Sequence, residues 1–159
     1  MAYLIDGSNF IGHTSQYEHR DPRSKRELIA KLWIFFKMKR TKILLVFDGP
    51  PDPIISEQEF PEKSLSIIYP EPDENADAVI KHIIGQQEIL KKFYVVSSDR
   101  EIKDYARQKG AKSLTCEEFN KKLKSVLRDH KKKRELEKKV DLPSPLEIDH
   151  WIDILTTKK

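Results

Sequence analysis

Three short apolar runs, each leading into an aspartate, limit what this chain can fold into more than any other feature. Tyr3-Leu4-Ile5-Asp6 opens into Gly7-Ser8-Asn9, Ile43-Leu44-Leu45-Val46-Phe47-Asp48 opens into Gly49, and Phe93-Tyr94-Val95-Val96 passes through Ser97 and Ser98 to Asp99. Short, unbroken apolar stretches without helical spacing, bounded by turn residues, read as strands covered on both faces, which is the habit of parallel sheets. The segments between them carry apolar residues at helical spacing: Leu28, Ile29, Leu32, Phe35 and Phe36, widened by Trp33, within 24–38, then Ala76, Val79, Ile80, Ile83 and Ile84 in a helix running to about 91. Strand and helix in alternation define an α/β domain with a mainly parallel sheet.

The remaining segments fill in around that frame. Residues 11–22 show no apolar period and are expected to form a surface loop beside Asp6, part of a substrate rim. Pro50, Pro51 and Pro53 exclude regular helix or central strand, so a mobile loop is expected from Gly49 to Lys63. Leu65–Tyr69 reads as a third strand at the sheet edge, Asp99–Gly110 as a short helix stopped by its glycine, and Ala111–Thr115 as a fifth strand. A last long helix from about Glu117 is amphipathic through Phe119, Leu123, Val126 and Leu127. It then loses its apolar stripe, and its second half is expected to project from the body. Pro145, following Ser144, starts a closing helix with Ile148, Trp151, Ile152 and Leu155. The organisation expected is a core over 1–116, with the basic helix and closing helix of 117–159 packed as part of the same domain.

Composition removes several classes of function. With 159 residues the chain can bury a substantial core. A single cysteine, Cys116, excludes an internal disulfide framework and a Cys-based zinc site. No apolar run reaches membrane-spanning length, and the first strand begins at residue 2, so a cytoplasmic protein is expected. The net charge of +4 hides an asymmetry: residues 120–139 carry a local +7, which leaves −3 for the rest. The basic residues are Lys121, Lys122, Lys124, Arg128, Lys131, Lys132, Lys133, Arg134, Lys138 and Lys139. That layout suits a polyanion bound beside an acidic site, and equally a solvated helix face.

Taken alone, Asp6 reads more readily as a turn residue than as a ligand, and Asp77 has a bland partner in Lys81 four residues on. Taken together, strand-end acids at 6, 48 and 99, with Asp77 at the start of the helix after the third strand, converge on one end of a parallel sheet. Ligands bind at that end. Carboxylates packed together repel and call for a cation. An all-oxygen donor set suits Mg²⁺ or Mn²⁺, ions that serve phosphoryl chemistry by lowering the pKa of water and stabilising charge on the phosphodiester. Neither a P-loop nor a dinucleotide-binding glycine pattern is present, and the five histidines show no zinc spacing. A phosphoaspartate receiver would explain a strand-end acid but gives Asp77 no task.

The stretches Leu4-Ile5-Asp6-Gly7-Ser8-Asn9, Val46-Phe47-Asp48-Gly49, Asn75-Ala76-Asp77 and Val96-Ser97-Ser98-Asp99-Arg100-Glu101-Ile102 resemble the ordered motifs of the NYN domain within the PIN-like nucleases, closest to its YacP-like branch. The likeness covers about residues 2–116, and Ser144–Trp151 is similar to the short tryptophan-containing helix that closes YacP-like chains. The resemblance implies a PIN-like three-layer domain with strand order 3-2-1-4-5 and metal-dependent endoribonuclease activity. It implies Asp6, Asp77 and Asp99 as metal ligands, Asn9 as a site-organising side chain, Ser97 as a polar neighbour orienting water or phosphate, and Asp48 as ligand or loop anchor. Ala78 departs from the pattern, since members often carry a further acid there. The family's link to ribosomes and messenger RNA cleavage fits the basic helix.

Three functions are therefore on the table. The first is an Mg²⁺- or Mn²⁺-dependent endoribonuclease in which Arg100 and the basic residues of 121–134 engage RNA phosphates, acting on messenger RNA at the ribosome. The second is a non-catalytic RNA- or ribosome-binding module with a degenerate site. The third is a DNA-processing relative. None calls for a nucleotide cofactor or a membrane.

Overall fold

The structure, a computed structural model, describes residues 1–14, 21–56, 60 and 64–139. Five strands form one sheet: β1 (Ala2–Asp6), β2 (Lys42–Val46), β3 (Leu65–Ile68), β4 (Phe93–Val96) and β5 (Lys112–Leu114). Their order is β3-β2-β1-β4-β5, as the resemblance implied, and every pairing is parallel. Among the described residues six helices connect and cover them: α1 (Gly7–Thr14), α2 (Pro22–Lys39), α3 (Pro53–Ser56), α4 (Ala76–Gln86), α5 (Arg100–Lys109) and α6 (Cys116–Lys139).

The unbroken apolar runs have the meaning parallel strands give them, because alternate residues enter two different cores. Tyr3, Ile5, Ile43, Leu45, Phe47 and Val96 face a cluster built with Phe10, Trp33, Phe35 and Phe119 from α1, α2 and α6. Leu4, Val46, Phe93 and Val95 face a second cluster with Ala76, Ile80, Ile84, Ile102 and Ala106 from α4 and α5. The result is three layers, helix on sheet on helix.

Local chemistry sets the helix ends. Asp21 caps α2 through Arg23 N at 2.9 Å, and Arg40 closes it in the left-handed region at φ 54°. Asn75 caps α4 through Ala78 N at 2.8 Å. Thr115 and Glu118 form a reciprocal box at the start of α6: Thr115 N donates to Glu118 Oε1 at 2.9 Å, and Glu118 N donates to Thr115 Oγ1 at 3.1 Å. Gly7 must be glycine for a different reason. A β-carbon there would lie 2.6 Å from Phe47 Cδ1 and 2.9 Å from the Val46 carbonyl oxygen.

Four expectations need correction. The segment after β1 is not loop from residue 11 on; it is the two-turn helix α1, pinned by Phe10 and Ile11 in the core, while 15–20 lie outside the described residues. The proline-rich segment holds the short helix α3, anchored by Asp52, which caps it through Ile54 N at 2.9 Å and pairs with Arg26 of α2 at 3.0 Å. Helix α4 ends at Gln86, and a 3₁₀ turn (Leu90–Lys92) leads into β4. Beyond its apolar stripe, α6 still has His130 buried and Arg134 half-buried, so burial extends past the point where projection was expected. The closing helix expected after Ser144 lies outside the described residues.

Candidate active site

Strand order reverses around β1: the chain runs β1 to β2 to β3 on one side, then crosses to β4 and β5 on the other. A crevice outside the carboxyl ends of the strands opens at such a switch point. Here it is an open cleft of about 350 Å³ lined by Asp6, Ser8, Asn9, Gly12, His13, Asp48, Asp77 and Asp99. Four elements thus bring the four aspartates singled out from the sequence to one place.

Each acid reaches it differently. Asp6 ends β1 and is 5% exposed. The register places Ile5 opposite Val96, so Asp6 faces the residue after β4, and Ser97 Oγ donates to Asp6 Oδ2 at 3.1 Å. Asp99 caps α5, its Oδ1 accepting from Glu101 N at 2.9 Å and Ile102 N at 3.2 Å, and its own N–H donates to Ser97 Oγ at 3.1 Å. Asp48, exposed just beyond β2, accepts from Ala76 N at 3.1 Å and donates its N–H to Ser8 Oγ at 3.0 Å. Asp48 is thereby the anchor joining α4 to the strand ends. Asp77 sits half-buried in the first turn of α4. The bland partner considered for it, Lys81, pairs with Glu101 of α5, and its charge also opposes the rise of Asp77.

Electrostatics reports this crowding. Burial pushes the Asp6 carboxyl up from 3.8 to about 6, with Asp77 and Asp48 adding to the rise and the bonds from Ser97 and the Asn9 backbone opposing it. Burial also raises Asp77, helped by the charges of Asp99, Asp48 and Glu101. Such a cleft favours a cation over bare carboxylates.

Asn9 organises the floor. Its Oδ1 accepts from Ser98 N at 2.8 Å and from Cys116 Sγ at 3.2 Å, tying α1 to the β4–α5 loop and to the first residue of α6. Ser97, fully buried, links Asp6 to Asp99. The sequence placed His13 in a rim segment but did not pair it with Glu117; the two side chains meet at 3.0 Å. The available signal was Thr115-Cys116-Glu117-Glu118, a capping-box pattern that starts α6 beside the cleft.

The basic residues are not gathered there. Arg100 lies exposed on the first turn of α5, next to Asp99. Helix α6 begins at the cleft and runs back along the sheet: Lys121 and Lys122 line a cavity with Met1, Tyr3 and Thr41 at the opposite ends of β1 and β2. At 1.5 Å per residue, Lys131 is about 21 Å along the helix from Glu117. Lys124, Arg128, Lys131, Lys132 and Lys133 are exposed on it, and Arg134 is half-buried.

Among the described residues no group of three or more His, Cys, Asp or Glu side chains is drawn close enough to hold a metal ion as it stands. The donor set still fits one kind of ion. Asp48 and Asp99 accept their bonds through Oδ1 and Asp6 accepts that of Ser97 through Oδ2, all oxygen donors of the kind hard cations take, and Mg²⁺ is usually held by one or two carboxylates with several of its waters retained.

An all-parallel sheet of this order, with a carboxylate-lined crevice at its switch point, is a three-layer α/β domain of the kind expected for a PIN-like fold. The family model of the YacP-like NYN domain matches residues 3–150, and the chain belongs to that family. Its fold is similar to crystal structures of Rae1 (YacP) from Bacillus subtilis. One aligns with a TM-score of 0.73 at 18% identity over 99% of this chain and 91% of that one. A tryptophan-to-leucine mutant of the same protein aligns at 0.68 and 17% identity, over 98% and 92%. No curated protein sequence matches the chain. Membership in a family of PIN-like nuclease domains supports an RNase-type function.

Proposed function

We propose that the chain is an endoribonuclease that hydrolyses RNA phosphodiesters with the help of Mg²⁺ or Mn²⁺, and that its substrates include messenger RNA on the ribosome in the cytoplasm. One observation carries the reading: Asp6, Asp48, Asp77 and Asp99, from four separate elements, line one open cleft at the carboxyl ends of the central strands. Asp6, Asp77 and Asp99 would hold the ion, which when bound supplies charge neutralisation and a more acidic water. The chain's own groups do the positioning. Ser97 holds the Asp6 carboxylate in place, Asn9 fixes the loop that carries Asp99, and Asp48 locks the helix that carries Asp77. Arg100 beside the cleft meets RNA phosphate, and the lysines of α6 position the RNA without reading its sequence. Among the described residues no helix is long and apolar enough to cross a membrane.

The test incubates single-stranded RNA and ribosome-bound messenger with the protein in Mn²⁺ or EDTA, beside Asp6→Asn. Cleavage that needs the ion and vanishes in the variant supports the reading; full activity in the variant refutes it. A second reading, an RNA-binding module without turnover, draws on Ala78 standing exposed where a further acid often sits. It predicts no cleavage and salt-sensitive binding indifferent to EDTA.

A further inference from the structure

Among the described residues that line the carboxylate cleft, His13 is the one basic side chain, and the hydrolysis as outlined leaves it without a task. It occupies the last turn of α1, with Nδ1 3.0 Å from Glu117 Oε1. Glu117 is itself held: its Oε2 accepts from Ser98 Oγ at 3.2 Å, and that hydroxyl oxygen accepts from Cys116 N at 3.1 Å. The Glu117 carboxyl lies below its usual range, first through its own backbone N–H at the start of α6, then through Ser98 and His13, so it is a firm acceptor. A carboxylate on one ring nitrogen fixes that nitrogen as donor and sets the plane of the ring. The second nitrogen, Nε2, lies on the far side of the ring and remains for whatever enters the cleft.

The pair is a weak candidate for a purely structural role. Its side chains are 42% and 57% exposed, and exposed ion pairs contribute little to stability. The chemistry of the cleft asks for a proton donor instead. When a phosphodiester is hydrolysed, the departing ribose oxygen gathers negative charge, here among four carboxylates. Among the described residues, the other charged groups that line the cleft are Asp6, Asp48, Asp77 and Asp99, and the one that meets the ring is Glu117 from α6; all of them are acids.

Building on the nuclease reading, we propose that His13, oriented by Glu117, is the general acid of the reaction and delivers its Nε2 proton to the ribose oxygen that leaves phosphorus. The oxygen of water bonds to phosphorus and gives up its proton to solvent. The bond from phosphorus to the leaving oxygen breaks, and its electron pair takes the Nε2 proton, producing a hydroxyl and a phosphate monoester. The neutral ring regains a proton from solvent. Glu117 is the positioning residue: it touches the ring and not the substrate.

The experiment compares wild type, His13→Gln and Glu117→Gln in Mn²⁺ on three versions of one RNA. One is all-oxygen; the others carry sulfur at the 3′ or the 5′ bridging position of the cleaved linkage. A thiolate departs without protonation. His13→Gln should lose about 10²-fold in kcat on the all-oxygen RNA and stay within about threefold of wild type on the sulfur-bridged RNA whose sulfur is the leaving atom. Glu117→Gln should show the same pattern with a smaller loss, and both variants should melt with wild type. Equal losses on oxygen and sulfur, or no loss on oxygen, overturn the assignment while leaving the nuclease reading intact. Wild type failing to cleave the all-oxygen RNA overturns the nuclease reading, and this assignment with it.

Discussion

Asp6→Asn should make the metal-free protein more stable at neutral pH while removing its activity. The folded protein raises the Asp6 carboxyl from 3.8 to about 6, chiefly because burial disfavours its charge. For an acid whose folded pKa lies above its unfolded one, the native state holds the proton more tightly. Stability is then greatest below the unfolded value, falls as pH rises between the two, and stays reduced above the folded value. A shift of about two units corresponds to about 3 kcal/mol at pH 7.5. At pH 4.5 only about 1 kcal/mol of that has developed. Asparagine fills the same volume, its carboxamide oxygen still accepts from Ser97 Oγ, and it carries no charge to desolvate. Urea unfolding in EDTA should therefore show the variant ahead by about 3 kcal/mol at pH 7.5 and about 1 kcal/mol at pH 4.5. In melting temperature the neutral-pH gain is roughly 6–12 °C for a chain of this size. Mn²⁺ should narrow the gap by stabilising wild type more than the variant. A variant no more stable than wild type at pH 7.5, or a gap that does not shrink with acid, would refute the view of Asp6 as a desolvated charge in a crowded cleft.

Other perturbations follow from the same structure. Asp52→Ala leaves Arg26, 7% exposed, without the carboxylate it meets through two nitrogens, and should lower the unfolding free energy by about 3 kcal/mol in urea. Gly7→Ala drives a methyl group against Phe47 and the Val46 carbonyl and should destabilise by about 1–3 kcal/mol, with activity falling as Asp6 is displaced. Replacing Lys131, Lys132 and Lys133 with Gln should leave kcat/KM on a short oligonucleotide unchanged and depress it on a long or structured RNA. Equal effects on both substrates would place the run at the cleft, against its position about 21 Å along α6.

Sheet and site were legible in the sequence to different depths, for physical reasons. Strands covered on both faces have to be continuously apolar, so β1, β2 and β4 announced themselves, and Asp6, Asp48 and Asp99 were conspicuous at or just beyond their ends. Helix α1 was not legible: eight residues make two turns, too few for a period to emerge, and Gly7 and Gly12 within it argue against helix on propensity. Its stability comes from Phe10 and Ile11 sinking into the core, a tertiary contribution that no local pattern displays. The proline-rich segment misled in the same way, since its order depends on Asp52 meeting Arg26 from 26 positions earlier. The pairing of His13 with Glu117 was not legible because the two lie 104 positions apart.

One element joins the acidic cleft to the basic surface. The first turn of α6 belongs to the site: the Cys116 thiol and N–H meet Asn9 and Ser98, and Glu117 holds His13. Its middle, through Phe119, Leu123 and Val126, is core packed against α1 and α2. The exposed lysines that follow therefore sit on a continuation of the same helix, and a continuous helix buried along one stripe does not swing relative to the sheet it covers. Charge at that distance cannot neutralise the scissile phosphate, which lies beyond a Debye length at physiological salt. It can fix where a long polyanion lies relative to the cleft. On the nuclease reading, the geometry thus divides the labour: carboxylates and His13 act on a single linkage, and α6 sets which bulky RNA is brought to it.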